Sequence, residues 1–307
     1  MYRKGNLSLW SGRQDSRSFR DLWHQIVEVA DLNTEVPSSF IFLGFCSDVG
    51  VKRNQGREGA VEGPYAIRKA MVNLAIHFDE KTALTDAGDV VVSGDHLEIA
   101  QEELTGYITK IFSAKSFPIL LGGGHEISYA HGKSVLDAFP GKKIGMINFD
   151  PHLDLRSYQQ GPHSGSWARQ LIEASEQFLY LPIGINPAVN IASMFEFLRQ
   201  KNQTFISMEE LLNDDHEELL AKINYFIDQI DILCITLDLD VFSACVAPGV
   251  SAANPYGVLP HHLKPLIKDI LKSDKLKSFD VAEMNPKYDD GRTAKLAASF
   301  IYDVVMN

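Results

Sequence analysis

Three short stretches gather carboxylates and imidazoles: Gly122-Gly-Gly-His125-Glu126, Asp150-Pro-His152-Leu-Asp154 and Leu237-Asp238-Leu-Asp240. In extended chain, side chains at i, i+2 and i+4 point to one side, so Asp150, His152 and Asp154 can converge, as can Asp238 and Asp240. The glycines ahead of His125 let the backbone turn tightly without Cβ clashes and bring that imidazole to the same rim. Two carboxylates 4 Å apart repel by about 4 kcal/mol at an effective dielectric of 20, so four gathered at one place call for cations. Two divalent ions supply the matching positive charge. Carboxylate oxygens with one imidazole per ion suit Mn²⁺ first, with Zn²⁺, Co²⁺ or Fe²⁺ as poorer fits. A pair of ions ~3.5–4 Å apart can share a bridging water, lower its pKa and present hydroxide at neutral pH, which is hydrolytic chemistry. Each motif alone has a plainer explanation, since Asp and His also cap helices and settle turns. Three of them, each after an apolar burst, favour a two-metal centre.

Those bursts, at residues 117–121, 143–149 and 231–237, belong to a longer series that includes 40–45, 178–183, 278–281 and a weaker one at 204–206. Between them run stretches with roughly 3.6-residue apolar spacing, such as 99–112 and 219–230. The bursts lack strict alternation, which predicts strands covered on both faces. Strands alternating with helices predict a three-layer α/β/α fold with a mostly parallel sheet, and ligands bind at the carboxyl ends of such strands. No linker divides the chain, so residues 40–307 read as one catalytic domain. Residues 1–39 read as an N-terminal extension packed on it, with 15–30 polar and then amphipathic.

Composition excludes several classes. The 307 residues are 45% hydrophobic and 22% charged, as expected of a soluble globular protein. Lys plus Arg number 29 against 40 for Asp plus Glu, and the net charge of −11 would repel a phosphate backbone, so no nucleic-acid role is expected. No apolar run approaches the ~20 residues that cross a bilayer, and the first twelve residues lack the apolar region of a signal peptide. Cys46, Cys234 and Cys245 are too scattered for a disulfide framework or a thiolate metal site. A cytoplasmic protein with reduced thiols is the expectation.

The three motifs resemble, in order and spacing, the signatures of the ureohydrolase (arginase/agmatinase) family, and the likeness runs from about residue 40 to the C-terminus. The resemblance implies an eight-stranded, mostly parallel sheet, two manganese ions per subunit and a homo-oligomer. It implies His125, Asp150, Asp154 and Asp238 around one ion and His152, Asp150, Asp238 and Asp240 around the other. Pro151 departs from the small residue usual at its position.

Further stretches resemble the formimidoylglutamase branch, whose members hydrolyse N-formimidoyl-L-glutamate to glutamate and formamide. They are Gly50-Val-Lys-Arg53-Asn54-Gln-Gly56-Arg57-Glu-Gly59-Ala-Val-Glu-Gly63-Pro64, Trp10-Ser-Gly12-Arg13-Gln-Asp15 with Trp23-His24-Gln25 following, Asp154-Leu-Arg156 and Asp280-Val-Ala-Glu283-Met-Asn285-Pro286. The expected partner is thus a small amidine. Its two carboxylates call for planar donors, which makes Arg156 the first candidate and Arg53 and Arg57 candidates for the second carboxylate. Glu283, at a strand end, is the carboxylate to grip the amidinium head. Arginases place an acid/base His directly before a Gly in the loop at 163–166; here Ser164 holds that position and His163 sits one residue early. The proton donor is therefore open among Asp154, His163 and water. The other histidines, His131 among them, show no convergent partners in the sequence. An agmatinase or guanidino-acid hydrolase, and a catalytically silent binding protein of this fold, are the alternatives.

Overall fold

Buried apolar strands need helices on both faces, and the computed structural model builds that arrangement; it describes residues 1–14, 19–37, 40–79, 81–213 and 215–307. The strands, in chain order, are β1 (Tyr2–Arg3), β2 (Glu28–Val29), β3 (Phe40–Cys46), β4 (Leu84–Val91) and β5 (Phe117–Gly122). They continue with β6 (Ile144–Phe149), β7 (Phe178–Ile185), β8 (Ile206–Ser207), β9 (Ile232–Asp238) and β10 (Leu276–Ala282). Their order in the sheet is β1-β4-β3-β5-β10-β9-β6-β7-β8, with β2 also on β4. From β3 onward the eight strands pair in parallel, as expected. Two two-residue strands from the N-terminal segment extend the sheet at the outer edge of β4, one of them antiparallel.

Successive side chains of each strand feed opposite cores. On β3, Phe42 joins a core with Ile67, Ile223, Leu263 and Phe300, so the helices Gly63–Met71, His216–Asp228, Pro260–Leu271 and Arg292–Met306 cover that face. Its neighbours Ile41, Leu43 and Phe45 join Leu104, Ile108 and Ala130 on the other face, under the helices Leu97–Ser113 and Ile127–Ala138. Beyond these, Trp167 and Leu171 of the helix Trp167–Ala174 pack on Met146 and Tyr180. No helix is long and apolar enough to cross a membrane among the described residues.

β4 departs from the sequence reading, which has no burst there. Its sequence, Leu-Thr-Asp-Ala-Gly-Asp-Val-Val, is interrupted by acids. Asp86 is nevertheless fully buried, because Arg68 meets it through Nη2 (2.8 Å) and Nε (2.9 Å), and Trp10 Nε1 donates to it at 2.8 Å. Arg68 also reaches Asp89 at 2.7 Å. Removing one partner of such a pair strands a buried charge, so Asp86→Ala should cost about 3–5 kcal/mol, read as a lower denaturant midpoint.

The N-terminal segment contributes Trp10 and Trp23, both stacked on Phe42, and 3₁₀ turns at Leu7–Leu9 and Trp23–Gln25. The polar start of the 15–30 stretch, residues 15–18, lies outside the described residues, as do 38–39.

Candidate metal centre and active site

β10 and β9, the last strands in sequence, insert between β5 and β6. The ends of four adjacent strands therefore meet at one rim: β5 runs into His125, β10 into Glu283, β9 into Asp238 and Asp240, and β6 into Asp150, His152 and Asp154. His125 Nδ1 lies 2.9 Å from Asp154 Oδ2, 2.9 Å from Asp238 Oδ2 and 3.2 Å from Asp150 Oδ2. His152 Nδ1 lies 3.1 Å from Asp150 Oδ1 and 3.4 Å from Asp240 Oδ2. Candidate ligand atoms of His125, Asp150 and Asp154 fall within 4.8 Å of one another, as do those of Asp150, His152 and Asp240. Asp150 thus offers one oxygen to each group.

Local turn chemistry sets these positions. The Asp150 carboxylate accepts from His152 N at 2.6 Å, and Asp238 accepts from Asp240 N at 2.8 Å, so each strand end closes in the same aspartate turn. Pro151 presets the first of them, and its carbonyl accepts from Asn190 Nδ2 at 2.8 Å. Asp154 (φ 51°) and Glu283 (φ 66°) hold left-handed backbone, which for residues other than glycine is strain that functional sites tolerate. The glycines before His125 avoid Cβ clashes, as the sequence reading expects, and none of the three has positive φ. At Gly123 the reason is close approach, since a Cβ would come within 2.5 Å of the Phe45 and Ser47 carbonyl oxygens.

Burial and the crowding of acids together shift the carboxyls and imidazoles of the cluster. Burial, then Asp240 and Asp150, push the Asp238 carboxyl well up. Burial likewise moves Asp240 up to about 6 against the opposing pull of His152. Burial lowers the His125 and His152 imidazoles, but the surrounding aspartates, Asp238 and Asp240 first, overcome it and raise both well above the ordinary value. Burial would raise Asp150, yet its contacts with both imidazoles hold it well below the usual carboxylate range. Without cations the site keeps protons to offset its acids. His125 Nδ1 is buried, has no hydrogen bond and faces three carboxylates, and Asp240 Oδ1 is buried and unbonded as well. That donor set, oxygens plus one imidazole on each side, fits two divalent cations.

A cavity of about 280 Å³ opens over the cluster, walled by Asn54, Arg57, Arg156, Ser164, Ser251 and Glu283 among others. Glu283 is buried; its carboxylate accepts from His125 N at 2.8 Å and from the Ser251 hydroxyl. Arg156 has no hydrogen bond or ion pair from its guanidinium among the described residues, and it lines both this cavity and the adjoining one. The other two arginines are already engaged. Arg53 pairs with Asp95 (3.2 Å) and Glu98 (2.8 Å) and bonds the Pro162 carbonyl. Arg57 donates to the Val250 and Ser251 carbonyls and stacks over Tyr288. His163 lines the adjoining cavity and not the one above the acids; its Nε2 bonds the Ser157 carbonyl at 3.1 Å.

Some functional positions escaped sequence reasoning. Trp167 Nε1 donates to Asp154 Oδ2 at 2.5 Å, with its ring 5.1 Å from that of His125. Asn148 Nδ2 donates to Asp150 Oδ2 at 3.1 Å and to Tyr180 Oη at 2.8 Å. Asn148 and Thr236 each stand two residues before an aspartate of the cluster, on the same strand face. A polar residue at i−2 inside an apolar burst is the signal that could have found them.

A parallel α/β/α sheet with a carboxylate–imidazole centre at its carboxyl edge defines the class: a protein built to hold metal ions under a small-molecule pocket. The chain belongs to the arginase family, whose model matches residues 38–307. It is 37% identical to a formimidoylglutamase of Geobacillus sp. (strain WCH70), over 100% of this chain and 97% of the relative. A crystal structure of Trypanosoma cruzi formiminoglutamase with two Mn²⁺ superposes with a TM-score of 0.80 at 25% identity, covering 90% of this chain and 97% of that one. The formimidoylglutamase of Bacillus subtilis shares the fold, with a TM-score of 0.84 at 21% identity over 95% and 94% of the two chains.

Proposed function

We propose that this protein hydrolyses N-formimidoyl-L-glutamate to L-glutamate and formamide with two Mn²⁺ per subunit. The observation that carries the reading is the 37% identity to a formimidoylglutamase along the whole chain, on top of a buried acidic centre beneath a pocket. His125, Asp150, Asp154 and Asp238 would hold one ion, and His152, Asp150, Asp238 and Asp240 the other. Bound, the two ions supply charge balance for the four aspartates and an acidified water at neutral pH. Glu283, anchored by His125 N and Ser251, grips the cationic formimidoyl head and holds its carbon over the centre. Asp154, on the cavity wall, passes a proton to the glutamate nitrogen as its bond to the formimidoyl carbon breaks. His163, in the adjoining cavity, serves at most through solvent. Arg156 receives a substrate carboxylate, while Arg53 and Arg57 shape the loop that carries Asn54 and Gln55. Residues 40–307 form the catalytic unit, with the described part of the N-terminal segment packed on it through Trp10 and Trp23, and the protein works as a cytoplasmic homo-oligomer.

One substrate panel tests the activity. With added Mn²⁺, formamide should be released from formimidoylglutamate far faster than urea from arginine, agmatine or guanidinobutyrate. Preference for agmatine or a guanidino acid would move the protein to another branch of the family, and no turnover of any of them would end the reading.

A further inference from the structure

Behind His125, away from the cavity, five polar side chains are wholly buried: Ser128, His131, Thr236, Ser278 and Asp280. They come from three elements that the fold lays together, namely β9, β10 and the helix Ile127–Ala138. Thr236 Oγ1 lies 2.6 Å from Asp280 Oδ1, 3.0 Å from His125 Nε2 and 3.0 Å from Ser128 Oγ. The other Asp280 oxygen accepts from His131 Nδ1–H at 2.5 Å, and His131 Nε2 lies 2.6 Å from Ser278 Oγ. Burial pulls the His131 imidazole down, but Asp280 outweighs it and leaves it pushed up to about 9.

Proton counting along this chain has one solution. An ionised carboxylate only accepts, so the single hydroxyl proton of Thr236 goes to Asp280 at the short contact. Thr236 is then an acceptor towards His125, and Nε2 must be the nitrogen that carries the hydrogen. Once the ring is neutral, Nδ1 is therefore the nitrogen left with the lone pair, and Asp150, Asp154 and Asp238 surround it. We propose that Thr236 and Asp280 are positioning residues that fix His125 in its Nε2–H tautomer and so present Nδ1 to the metal centre. This rests on the two-metal reading of the site, and it gives a task to His131, which anchors Asp280 and which sequence reading left without partners. Partners of this kind, removed from metal-bound histidines, weaken metal binding about 10- to 100-fold.

The test compares wild type with Thr236→Val, which keeps the shape and loses the hydroxyl, and Thr236→Ser, which keeps the hydroxyl and loses the methyl. Metal-free protein is titrated with Mn²⁺ by calorimetry and by the loss of the free-ion paramagnetic resonance signal, and circular dichroism checks folding. Wild type should take up two ions. The valine variant should bind one of them about 10- to 100-fold more weakly, and serine should restore most of that loss. At saturating Mn²⁺ the KM for formimidoylglutamate should stay unchanged. Should valine prevent folding, Asp280→Asn takes its place: it removes the charge that claims the threonine proton, and the same weakening is expected. Wild-type affinity for both ions in valine or asparagine overturns the relay, and so does a serine variant as weak as valine, since then the methyl and not the hydroxyl matters. A wild-type chain that binds no Mn²⁺ sinks the two-metal reading and the relay together, whereas two ions bound equally by wild type and valine sink the relay alone.

Discussion

Asp150→Asn should bind fewer than two Mn²⁺ and lose activity altogether, and Asp238→Asn should behave in the same way. Asp150 stands between the two imidazoles, with Oδ1 facing His152 and Oδ2 facing His125, and Asp238 Oδ2 lies 2.9 Å from His125 Nδ1 beside it. An amide keeps the shape and removes a charge that each ion needs. Elemental analysis of the purified variants, beside formamide release, checks both halves of the expectation. Chelation of the wild type should likewise stop turnover and lower thermal stability, because ions that bind only the folded chain stabilise it. The pH dependence has a definite sign. His125 and His152 hold their protons more tightly than ordinary imidazoles, and those protons must leave before a metal binds. Mn²⁺ affinity should therefore rise with pH until both are neutral. Activity that persists in protein shown to be metal-free would refute the mechanism.

Arg156→Ala should cost about tenfold to a hundredfold in kcat/KM for formimidoylglutamate, since a charge-assisted hydrogen bond is worth roughly 1.5–3 kcal/mol. Arg156 reaches the cavity with its guanidinium uncommitted among the described residues, unlike Arg53 and Arg57. Metal content should not change. Agmatine has no carboxylate, so whatever turnover it shows should be indifferent to the substitution. Arg156→Lys should recover only part of the loss, because an ammonium cannot make the paired, planar contact. Unaltered formimidoylglutamate hydrolysis in the alanine variant would remove Arg156 from substrate recognition without touching the two-metal chemistry.

Much of this protein was legible in one dimension because the chemistry is local. The aspartates and histidines of the site lie at i, i+2 and i+4 on strand ends, and a run of glycines leads to His125. The short spacing keeps them together, though convergence comes through aspartate turns, a 3₁₀ turn at Leu239–Val241 and left-handed Asp154 rather than through the extended chain that the spacing suggests. Apolar bursts, likewise local, marked seven of the eight parallel strands. β4 was hidden because Asp86 and Asp89 look like surface residues until Arg68, eighteen positions before Asp86, is seen to meet both.

The sequence by itself determined which groups face the rim, the acids in excess that call for cations, and the parallel class of sheet. Tertiary structure alone decided which strand ends are neighbours. β9 and β10 slot between β5 and β6, so residues 125, 150, 238 and 283, spread over more than half of the chain, meet at one rim. It also decided which arginine is available. The sequence already put Arg156 ahead of Arg53 and Arg57, but a guanidinium's availability depends on the carbonyls and carboxylates within reach, and only packing between segments distant in the chain ties Arg53 to Glu98 and Arg57 to Ser251. The direction of the protons behind His125 follows the same rule. A hydroxyl has one hydrogen to give, and whether Thr236 gives it to Asp280 or to His125 depends on a contact between separate strands and a helix that spacing along the chain does not encode.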